Sequence, residues 1–169
     1  MKKQKPEKKT TAPKTDDKPV YKTVCQNKKA FHDYFIEETI EAGVCLVGAE
    51  VKSLRQGQAN LRDSYARVKD GEMFLIGAHI SPYNQSDVFT RPDPDRTRKL
   101  LLKKDQIRRM IGKIAEKGFT LVATRIYFKN GKVKVELGLA KGKKLYDKRE
   151  TLKERDVSRE IAKATKVAK

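Results

Sequence analysis

Two dipeptides constrain the fold of this chain more than any other feature, because each specifies a tight turn between two strands. Asp70-Gly71 and Asn130-Gly131 both lie between segments rich in strand-forming residues. Such pairs supply the positive φ angles of a two-residue type I′ turn. The sequence therefore predicts two antiparallel hairpins. Their strands are Arg62–Lys69 with Glu72–Ile80, and Thr120–Lys129 with Lys132–Ala140.

A further strand is predicted upstream of the first hairpin. Residues of Tyr34–Val44 alternate between apolar and polar with a period of two, and Glu38 is the one exception. Gly43 lies inside this run, and a glycine within a strand suggests a bulge or a bend. Five strands are thus expected in all.

Helices are predicted in two places. A short one covers Ala49–Arg55, and a longer one covers Leu100–Lys117, where apolar residues recur at helical spacing before Gly118. Strand, short helix, hairpin, helix, hairpin is the order of the OB-fold. We therefore predict a mainly β fold with helices: an OB-fold antiparallel β-barrel with flanking α-helices. A plain antiparallel α+β sheet is the alternative.

Charge divides the chain into three parts. There are 40 Lys and Arg against 22 Asp and Glu, a net charge of +18. Residues 1–20 hold one large apolar residue after Met1, namely Val20, and are predicted to form a disordered basic arm. Residues 21–140 form the predicted barrel. Residues 141–169 form a basic tail whose apolar stripe is too thin to pack on a core, so we expect it to be disordered alone and helical when bound.

The composition also bounds the partner and the compartment. No run approaches the roughly 20 apolar residues of a membrane span, so no membrane partner is expected. Two cysteines, Cys25 and Cys45, and a polar start without an export signal predict a reducing cytoplasm. A chain this basic favours a polyanion, and nucleic acid is the commonest one.

Catalytic patterns are weak. Two histidines, His32 and His79, could in principle act as a ribonuclease-style acid and base, but nothing places them face to face. On a strand, Glu37 and Glu41 share one face while Glu38 lies on the other, which disfavours a three-carboxylate metal site. We therefore predict no catalytic residue, no metal site and no cofactor.

Basic residues cluster at the ends of the predicted elements. One cluster taken alone is best explained as a solvated surface, but together they favour contact with phosphates. Aromatic side chains that could stack on bases are few, and most are expected in the core. The clusters are Lys28-Lys29, Lys52 with Arg55, Arg91 with Arg96, Arg98 and Lys99, Lys132 with Lys134, and the start of the tail.

Several short motifs, taken together and in this order, resemble the SsrA-binding protein (small protein B, SmpB) family. The resemblance covers roughly residues 25–155. The motifs are Asn27-Lys28-Lys29-Ala30, Tyr34-Phe35-Ile36-Glu37-Glu38, Glu41-Ala42-Gly43, Glu50-Val51-Lys52-Ser53-Leu54-Arg55, Asp63-Ser64-Tyr65, Asp93-Pro94 with Arg96, Arg98-Lys99-Leu100-Leu101-Leu102, and Gly138-Leu139-Ala140-Lys141-Gly142-Lys143-Lys144 with Asp147-Lys148-Arg149.

The resemblance implies site residues of two kinds. RNA contact is implied for Asn27, Lys28, Glu41, Lys52, Arg55, Leu101 and Lys134, and the basic clusters add Lys29, Arg96, Arg98 and Lys99. Contact with the ribosome is implied for Lys141, Lys143, Lys144, Tyr146, Asp147, Lys148 and Arg149. Tyr146 stands where many relatives have His; its ring can still stack on a base, but it has no acid–base role near neutral pH.

The implied function is that of an RNA-binding adaptor and not of an enzyme. The resemblance implies binding to the tRNA-like domain of transfer-messenger RNA, as a monomer bound one-to-one. The protein would replace the missing anticodon arm on a stalled 70S ribosome, with its tail in the decoding centre and the empty mRNA channel. The alternatives are a generic ribosomal or single-strand-binding OB protein and, less favoured, an RNA-processing enzyme.

Overall fold

The computed structural model describes residues 21–85, 91–115 and 118–144. The basic arm, the tail from residue 145 onward and the ribosome-contacting residues Tyr146, Asp147, Lys148 and Arg149 lie outside the described residues. The described elements, in chain order, are β1 (Tyr21–Gln26), α1 (Lys28–Asp33), β2 (Tyr34–Val44), α2 (Gly48–Arg55), β3 (Ala59–Asn60), β4 (Tyr65–Lys69), β5 (Glu72–Ile76), β6 (His79–Ile80), β7 (Arg98–Leu101), α3 (Lys104–Ala115), β8 (Phe119–Lys129) and β9 (Lys132–Gly142).

The hydrogen-bonded strands close into a ring. Neighbouring strands run in the order β8-β4-β5-β7-β2-β9, and β9 pairs again with β8. All these pairings are antiparallel, and α3 connects β7 to β8. This confirms the predicted OB-fold barrel with flanking helices. Strand β1 pairs with β8 outside the ring, beyond the residues of β8 that pair with β4.

Both tight turns form as predicted. Asp70 and Gly71 have φ angles of 52° and 73°, and Asn130 and Gly131 have φ angles of 49° and 75°. Positive φ at both central residues defines the type I′ turn, which matches the twist of the strands it joins. The hairpins β4–β5 and β8–β9 follow from these turns. The first is shorter than predicted, because β5 ends at Ile76 and β6 pairs with β3 in a separate sheet.

Large apolar side chains fill the inside of the ring. Alternate residues of each strand point inward, and α3 buries Ile107 and Met110 against them. Burial of this apolar surface is the main favourable term in folding. The most buried members of this core include Leu54, Met73, Leu75, Leu100, Leu121, Ile126, Val135 and Leu137.

Two predicted features of the strands and helices are wrong. The Leu100–Lys117 segment does not begin as a helix, because Arg98–Leu101 is strand β7 and the helix begins at Lys104. Gly43 is not at a bulge: the irregularity of β2 lies between Ile36 and Glu38, where one extra residue is accommodated. The predicted short helix is observed over Gly48–Arg55.

Candidate nucleic-acid interface

An exposed leucine lies at one end of a row of three paired residues on the outside of the barrel, and Gly43 lies at the centre of that row. Gly43 of β2 pairs with Leu101 of β7 on one side and with Lys134 of β9 on the other. Leu101 is 53% exposed although it is large and apolar. A Cβ atom at Gly43 would lie 3.1 Å from the Leu101 Cβ, so the glycine lets the leucine pack closely over β2. We call Glu41, Gly43, Leu101 and Lys134 the Leu101 surface.

Two grooves flank Leu101, and cations rim both of them. One has a volume of about 560 Å³ and is lined by Glu41, Lys134 and a run of lysines at residues 99, 103 and 104. The other has a volume of about 380 Å³ and is lined by Leu46, Val51 and Lys132 among others. An apolar floor with a positive rim suits a nucleotide, whose base and sugar are flat or apolar and whose phosphate is an anion.

The carboxylate of Glu41 organises the cations of the Leu101 surface. The Tyr127 hydroxyl donates to Glu41 Oε2 at 2.5 Å, and Lys129 Nζ donates to the same oxygen at 2.9 Å. Lys134 Nζ lies 3.5 Å from Glu41 Oε1. The hydrogen bond from Tyr127, with the charges of both lysines, holds the pKa of Glu41 below its ordinary value, although partial burial acts the other way. Glu41 is therefore ionised at neutral pH and orients Lys134.

Helix α2 borders the second groove through Val51. Its predicted contact residues, Lys52 and Arg55, are exposed. The Lys52 ammonium lies 5.4 Å from the centroid of the Tyr83 ring, which is a cation–π distance. Both α2 cations are thus exposed on the helix that borders the second groove.

Two arginines predicted to contact RNA belong instead to a buried ion cluster. Arg98 is fully buried, and its Nε donates to Glu50 Oε1 at 2.8 Å. Its Nη atoms donate to the backbone carbonyls of Ala78, Pro94 and Arg96. Arg96 Nη2 donates to Glu50 Oε2 at 2.6 Å and keeps 30% of its side chain exposed. Arg98 therefore cannot reach RNA, which corrects its predicted role, and Arg96 is mainly a positioning residue. Lys99 is exposed and paired with Glu72.

Asn27 is also a structural residue. Its side chain accepts from Ala30 N at 3.0 Å, capping α1, and donates to the Leu61 and Ala123 carbonyls at 2.7 and 3.1 Å. Only 5% of the residue is exposed. Asn27 therefore holds α1 on the barrel, and its predicted direct contact with RNA stays a prediction. Lys28 and Lys29 follow it on the exposed side of α1, where Lys29 Nζ lies 2.5 Å from Asp63 Oδ1.

The predicted contacts separate into two regions along β9. Gly43 pairs with Lys134 at one end of β2, and Tyr34 pairs with Gly142 at the other. Lys134 and Gly142 are eight positions apart along β9, and at about 3.3 Å per residue the two ends are roughly 26 Å apart. Lys28 and Lys29 lie beside Tyr34, at the end far from Leu101. The residues predicted to contact RNA therefore do not form one continuous cluster on the barrel.

The chain leaves the barrel at this far end at Lys143, whose backbone and side chain are both hydrogen-bonded to the barrel. Strand β9 continues two residues beyond the predicted boundary at 140, to Gly142. Lys143 N then donates to the Asp33 carbonyl at 2.9 Å, and Lys143 Nζ donates to the Phe31 carbonyl at 3.2 Å and lies 4.7 Å from the Phe35 ring centroid. Lys141 lies 6.0 Å from the Phe119 ring centroid. We call Lys28, Lys29, Lys141, Lys143 and Lys144 the tail-root surface.

The other candidate groups have local partners. His32 bonds to Asp33 and His79 to Asp95, both at 2.9 Å, and no hydrogen bond joins the two rings within the described part of the chain. Burial raises the pKa of the Cys25 thiol to about 11, so it is protonated and unreactive at neutral pH. Among the described residues no three His, Cys, Asp or Glu side chains converge as metal ligands. None of the described helices has the length and apolar character needed to cross a bilayer.

Sequence reasoning missed three lysines that border the Leu101 surface. Lys129 bonds to Glu41, and Lys103 and Lys104 line the larger groove. The lysine pair directly after Leu100-Leu101-Leu102 was a usable signal, because a strand end followed by a helix start places both near Leu101. Lys129 had no such signal, since only the pairing of β8 with β9 brings it near Glu41.

Comparisons with known proteins agree with one another. The model of the SmpB protein family matches residues 24–167. An SsrA-binding protein of Geobacter metallireducens is 62% identical over 143 residues, which are 85% of this chain and 93% of that protein. One of Acetivibrio thermocellus is 61% identical over 83% of this chain and 90% of its own length. A solved chain, from a structure described as "tmRNA-SmpB: a journey to the center of the bacterial ribosome", matches with a TM-score of 0.61 and 50% identity over 72% of this chain and 85% of that chain. This chain belongs to the SmpB family of SsrA-binding proteins.

Proposed function

We propose that the protein is an RNA-binding adaptor and not an enzyme. It binds the tRNA-like domain of transfer-messenger RNA and delivers this RNA to stalled ribosomes for trans-translation in the cytoplasm. Membership in the SsrA-binding family and the likeness to a chain from a tmRNA-SmpB structure support this function. The structural observation that carries it is the Leu101 surface, an exposed apolar side chain between grooves rimmed by cations.

The Leu101 surface binds folded RNA through shape and phosphate contacts. Leu101 and Gly43 form a rigid contact on strands, which costs little conformational entropy when RNA binds. Lys134 is already held by Glu41, so its charge is positioned before the RNA arrives. Lys52 and Arg55 on α2 extend the positive field beside the smaller groove. Folded RNA is recognised in this way, by its shape and backbone more than by its base edges.

The tail-root surface faces the ribosome in this proposal. The protein takes the place of the missing anticodon arm, and the tail enters the decoding centre and the empty mRNA channel. The distance between the two surfaces supports this division, because RNA held near Leu101 leaves Lys141, Lys143 and Lys144 accessible at the other end of β9. Contacts of Tyr146, Asp147, Lys148 and Arg149 with the ribosome remain predictions from the family resemblance.

Two exposed aliphatic side chains provide the test of the RNA surface. Leu101 on β7 is 53% exposed, and Ile111 on α3 is 43% exposed on another part of the molecule. We expect Leu101→Ala to weaken binding of the isolated tRNA-like domain by about tenfold, since exposed apolar anchors dominate such contacts. Ile111→Ala should change affinity by less than about twofold. Titration at several salt concentrations measures both.

The salt series separates apolar from ionic contributions. Leu101→Ala removes no charge and should leave the slope of log affinity against log salt unchanged. Lys134→Ala should lower affinity and flatten that slope by roughly one unit at most, because one phosphate contact is lost. If Leu101→Ala and Ile111→Ala bind the domain equally well, the RNA surface has been placed on the wrong part of the barrel.

A further inference from the structure

A second surface on the barrel combines aromatic rings with unpaired cations. Tyr65, Arg67 and Lys69 alternate along the outside of β4, and Phe74 and Ile76 lie beside them on β5. Arg67 pairs across the strands with Phe74, and Tyr65 pairs with Ile76. Tyr65 is 41% exposed, and Phe74 and Ile76 are half-buried. We call these five residues the β4–β5 platform.

The cations of the platform differ from most others on the sheet. Lys99, Arg125, Lys129 and Lys134 each pair with a glutamate. Arg67 and Lys69 have no ion pair or hydrogen bond within the described residues. The nearest carboxylate across the strands is Glu72, which pairs with Lys99. The platform therefore presents positive charge that no described group of the protein neutralises.

The apolar part of the platform forms an open groove. Arg67, Lys69, Phe74 and Ile76 line a space of about 570 Å³ together with Val68 and Thr97. Flat rings beside free cations match a single-stranded nucleic acid, whose base faces stack on aromatics while its phosphates meet Lys and Arg. A duplex hides its base faces and could meet only the cations. Counted from β2, strands β4 and β5 are the second and third strands of the barrel in chain order, if the short β3 is left out. Barrels with this strand order bind oligonucleotides on the face of those two strands.

We propose that the β4–β5 platform binds unpaired nucleotides of an RNA strand. It is a separate site from the Leu101 surface, because Lys99 and Leu101 lie on β7, beyond β5, and Phe74 pairs with Lys99 across that boundary. The two sites are close enough to act on one RNA molecule. This inference goes beyond the proposed function, which uses only the folded tRNA-like domain.

The test uses the full chain and a fluorescein-labelled oligouridine at physiological salt. Arg67→Glu should weaken binding of this probe by roughly tenfold, and Tyr65→Leu and Phe74→Leu should each weaken it severalfold, in the range expected for loss of one stacked base. Arg108→Glu is the matched control, since it makes the same charge change on the exposed side of α3. A denaturation midpoint for each variant shows that it is folded.

Cross-linking makes the test independent of any variant. Oligouridine carrying 4-thiouridine should cross-link to Tyr65 or Phe74 of the wild-type chain, as mapped by mass spectrometry. Equal affinities of Arg67→Glu and Arg108→Glu would overturn the proposal. So would cross-links confined to other parts of the chain, or an RNA duplex that competes as well as the unlabelled strand.

The source of the strand is distinguished with two natural RNAs. If the platform holds an unpaired part of transfer-messenger RNA, Arg67→Glu should weaken binding of the full-length RNA but not of its isolated tRNA-like domain. If the platform holds another RNA, Arg67→Glu should weaken the binding of oligouridine and leave the affinity for transfer-messenger RNA unchanged. Leu101→Ala should have the opposite pattern, because it should weaken the binding of the isolated tRNA-like domain. Failure of the platform proposal and failure of the proposed function therefore give different results.

Discussion

Glu41 is an acidic residue in the middle of a surface assigned to an anion, and its contacts explain why it is there. Tyr127, Lys129 and Lys134 all point at its carboxylate. A long lysine side chain without such a partner samples many rotamers and loses that freedom on binding. Glu41 therefore acts as a positioning residue for Lys134 and Lys129, and direct contact with RNA is not needed to explain it.

A double-mutant cycle tests this role. Glu41→Gln keeps the size of the side chain but removes the charge that holds Lys134, and we expect it to weaken binding of the tRNA-like domain about fivefold. In a Lys134→Met background the same change should have a smaller effect, about twofold, because Lys129 is then the one lysine of the pair that Glu41 still orients. Affinity titrations of the four proteins measure the coupling.

Glu38→Gln is the matched control for that cycle. It removes the same charge from the same strand, but Glu38 faces α3, where it pairs with Arg109 and Lys113. It should leave RNA affinity unchanged. Additive effects of Glu41→Gln and Lys134→Met would mean that Glu41 contacts RNA itself.

The sequence identified Leu101, Lys134, Lys52 and Arg55 as surface residues, but it could not separate them from Arg98. Four of these five residues belong to the motifs that carry the family resemblance, Lys134 being the exception, and four of the five are cations. What separates Arg98 is burial, which arises because β7 pairs with β5 and β2 while α2 brings Glu50 over it. These contacts join residues between 23 and 58 positions apart, and no local pattern reports them.

At the scale of elements, one ion cluster holds α2 against the barrel. Glu50 is 2% exposed and receives Arg98 at 2.8 Å and Arg96 at 2.6 Å. Burial alone would raise the pKa of the Glu50 carboxyl, but the hydrogen bonds from Arg96, Val47 N and Arg98 outweigh it and lower the pKa. The position of Lys52 and Arg55 on the next turns of α2 therefore depends on this cluster.

Glu50→Gln should destabilise the fold by about 3 kcal/mol, because Arg98 would remain buried without its counter-charge. Chemical denaturation measures the loss. Glu72→Gln is the control: its ion pair with Lys99 is exposed at 43% and 47% of the two side chains, and its removal should cost less than about 1 kcal/mol.

The same cluster predicts how stability depends on pH. A carboxyl whose pKa is lower in the folded state than in the unfolded chain stabilises the fold above its ordinary pKa, here 4.5. This contribution is lost as the pH falls from 4.5 through the lower folded pKa. The unfolding free energy of Glu50→Gln should therefore decline less steeply in this range than that of the wild type. If the unfolding free energies of Glu50→Gln and the wild type fall in parallel with pH, the loss of stability in acid is due to other carboxyls.

Elements that depend on local chemistry were predictable, and those that depend on pairing were not. The two hairpins follow from turn residues that adopt positive φ angles. The last two residues of β7, Leu100 and Leu101, were predicted as the start of a helix because they precede a genuine helical stripe. The four residues of β7 become a strand only because β5 and β2 offer hydrogen-bonding edges on both sides. Sequence spacing contains no information about those edges.

At the scale of the whole molecule, the barrel is a spacer with a surface at each end of β2 and β9. The Leu101 surface and the tail-root surface lie roughly 26 Å apart along these paired strands. Long antiparallel pairing between β2 and β9, and between β9 and β8, makes this distance rigid. A rigid spacer transfers the position of a bound RNA to the root of the tail, which is what an adaptor between an RNA and a ribosome requires.

The last prediction separates the two surfaces by removing the tail. Truncation after Lys144 keeps the bonds from Lys143 to Asp33 and Phe31, so the barrel should lose almost no stability. Binding of transfer-messenger RNA should stay within about twofold of the full chain, since the Leu101 surface is intact. Peptide tagging of stalled chains should be abolished. Affinity titration and a reconstituted stalled-translation assay measure the two activities on the same preparations.

Replacement of Asp147, Lys148 and Arg149 by alanine is the finer version of that experiment. Alanine is the best helix former, so this variant keeps the tail's ability to form a helix while removing the charged side chains implied to contact the ribosome. It should reproduce the truncation, with RNA binding kept and tagging lost. Because the variant retains the length of the tail, a loss of tagging assigns the effect to these side chains and not to the missing chain. Parallel losses of RNA affinity and tagging would show that the tail is part of the RNA clamp, and the division into two surfaces would then be wrong.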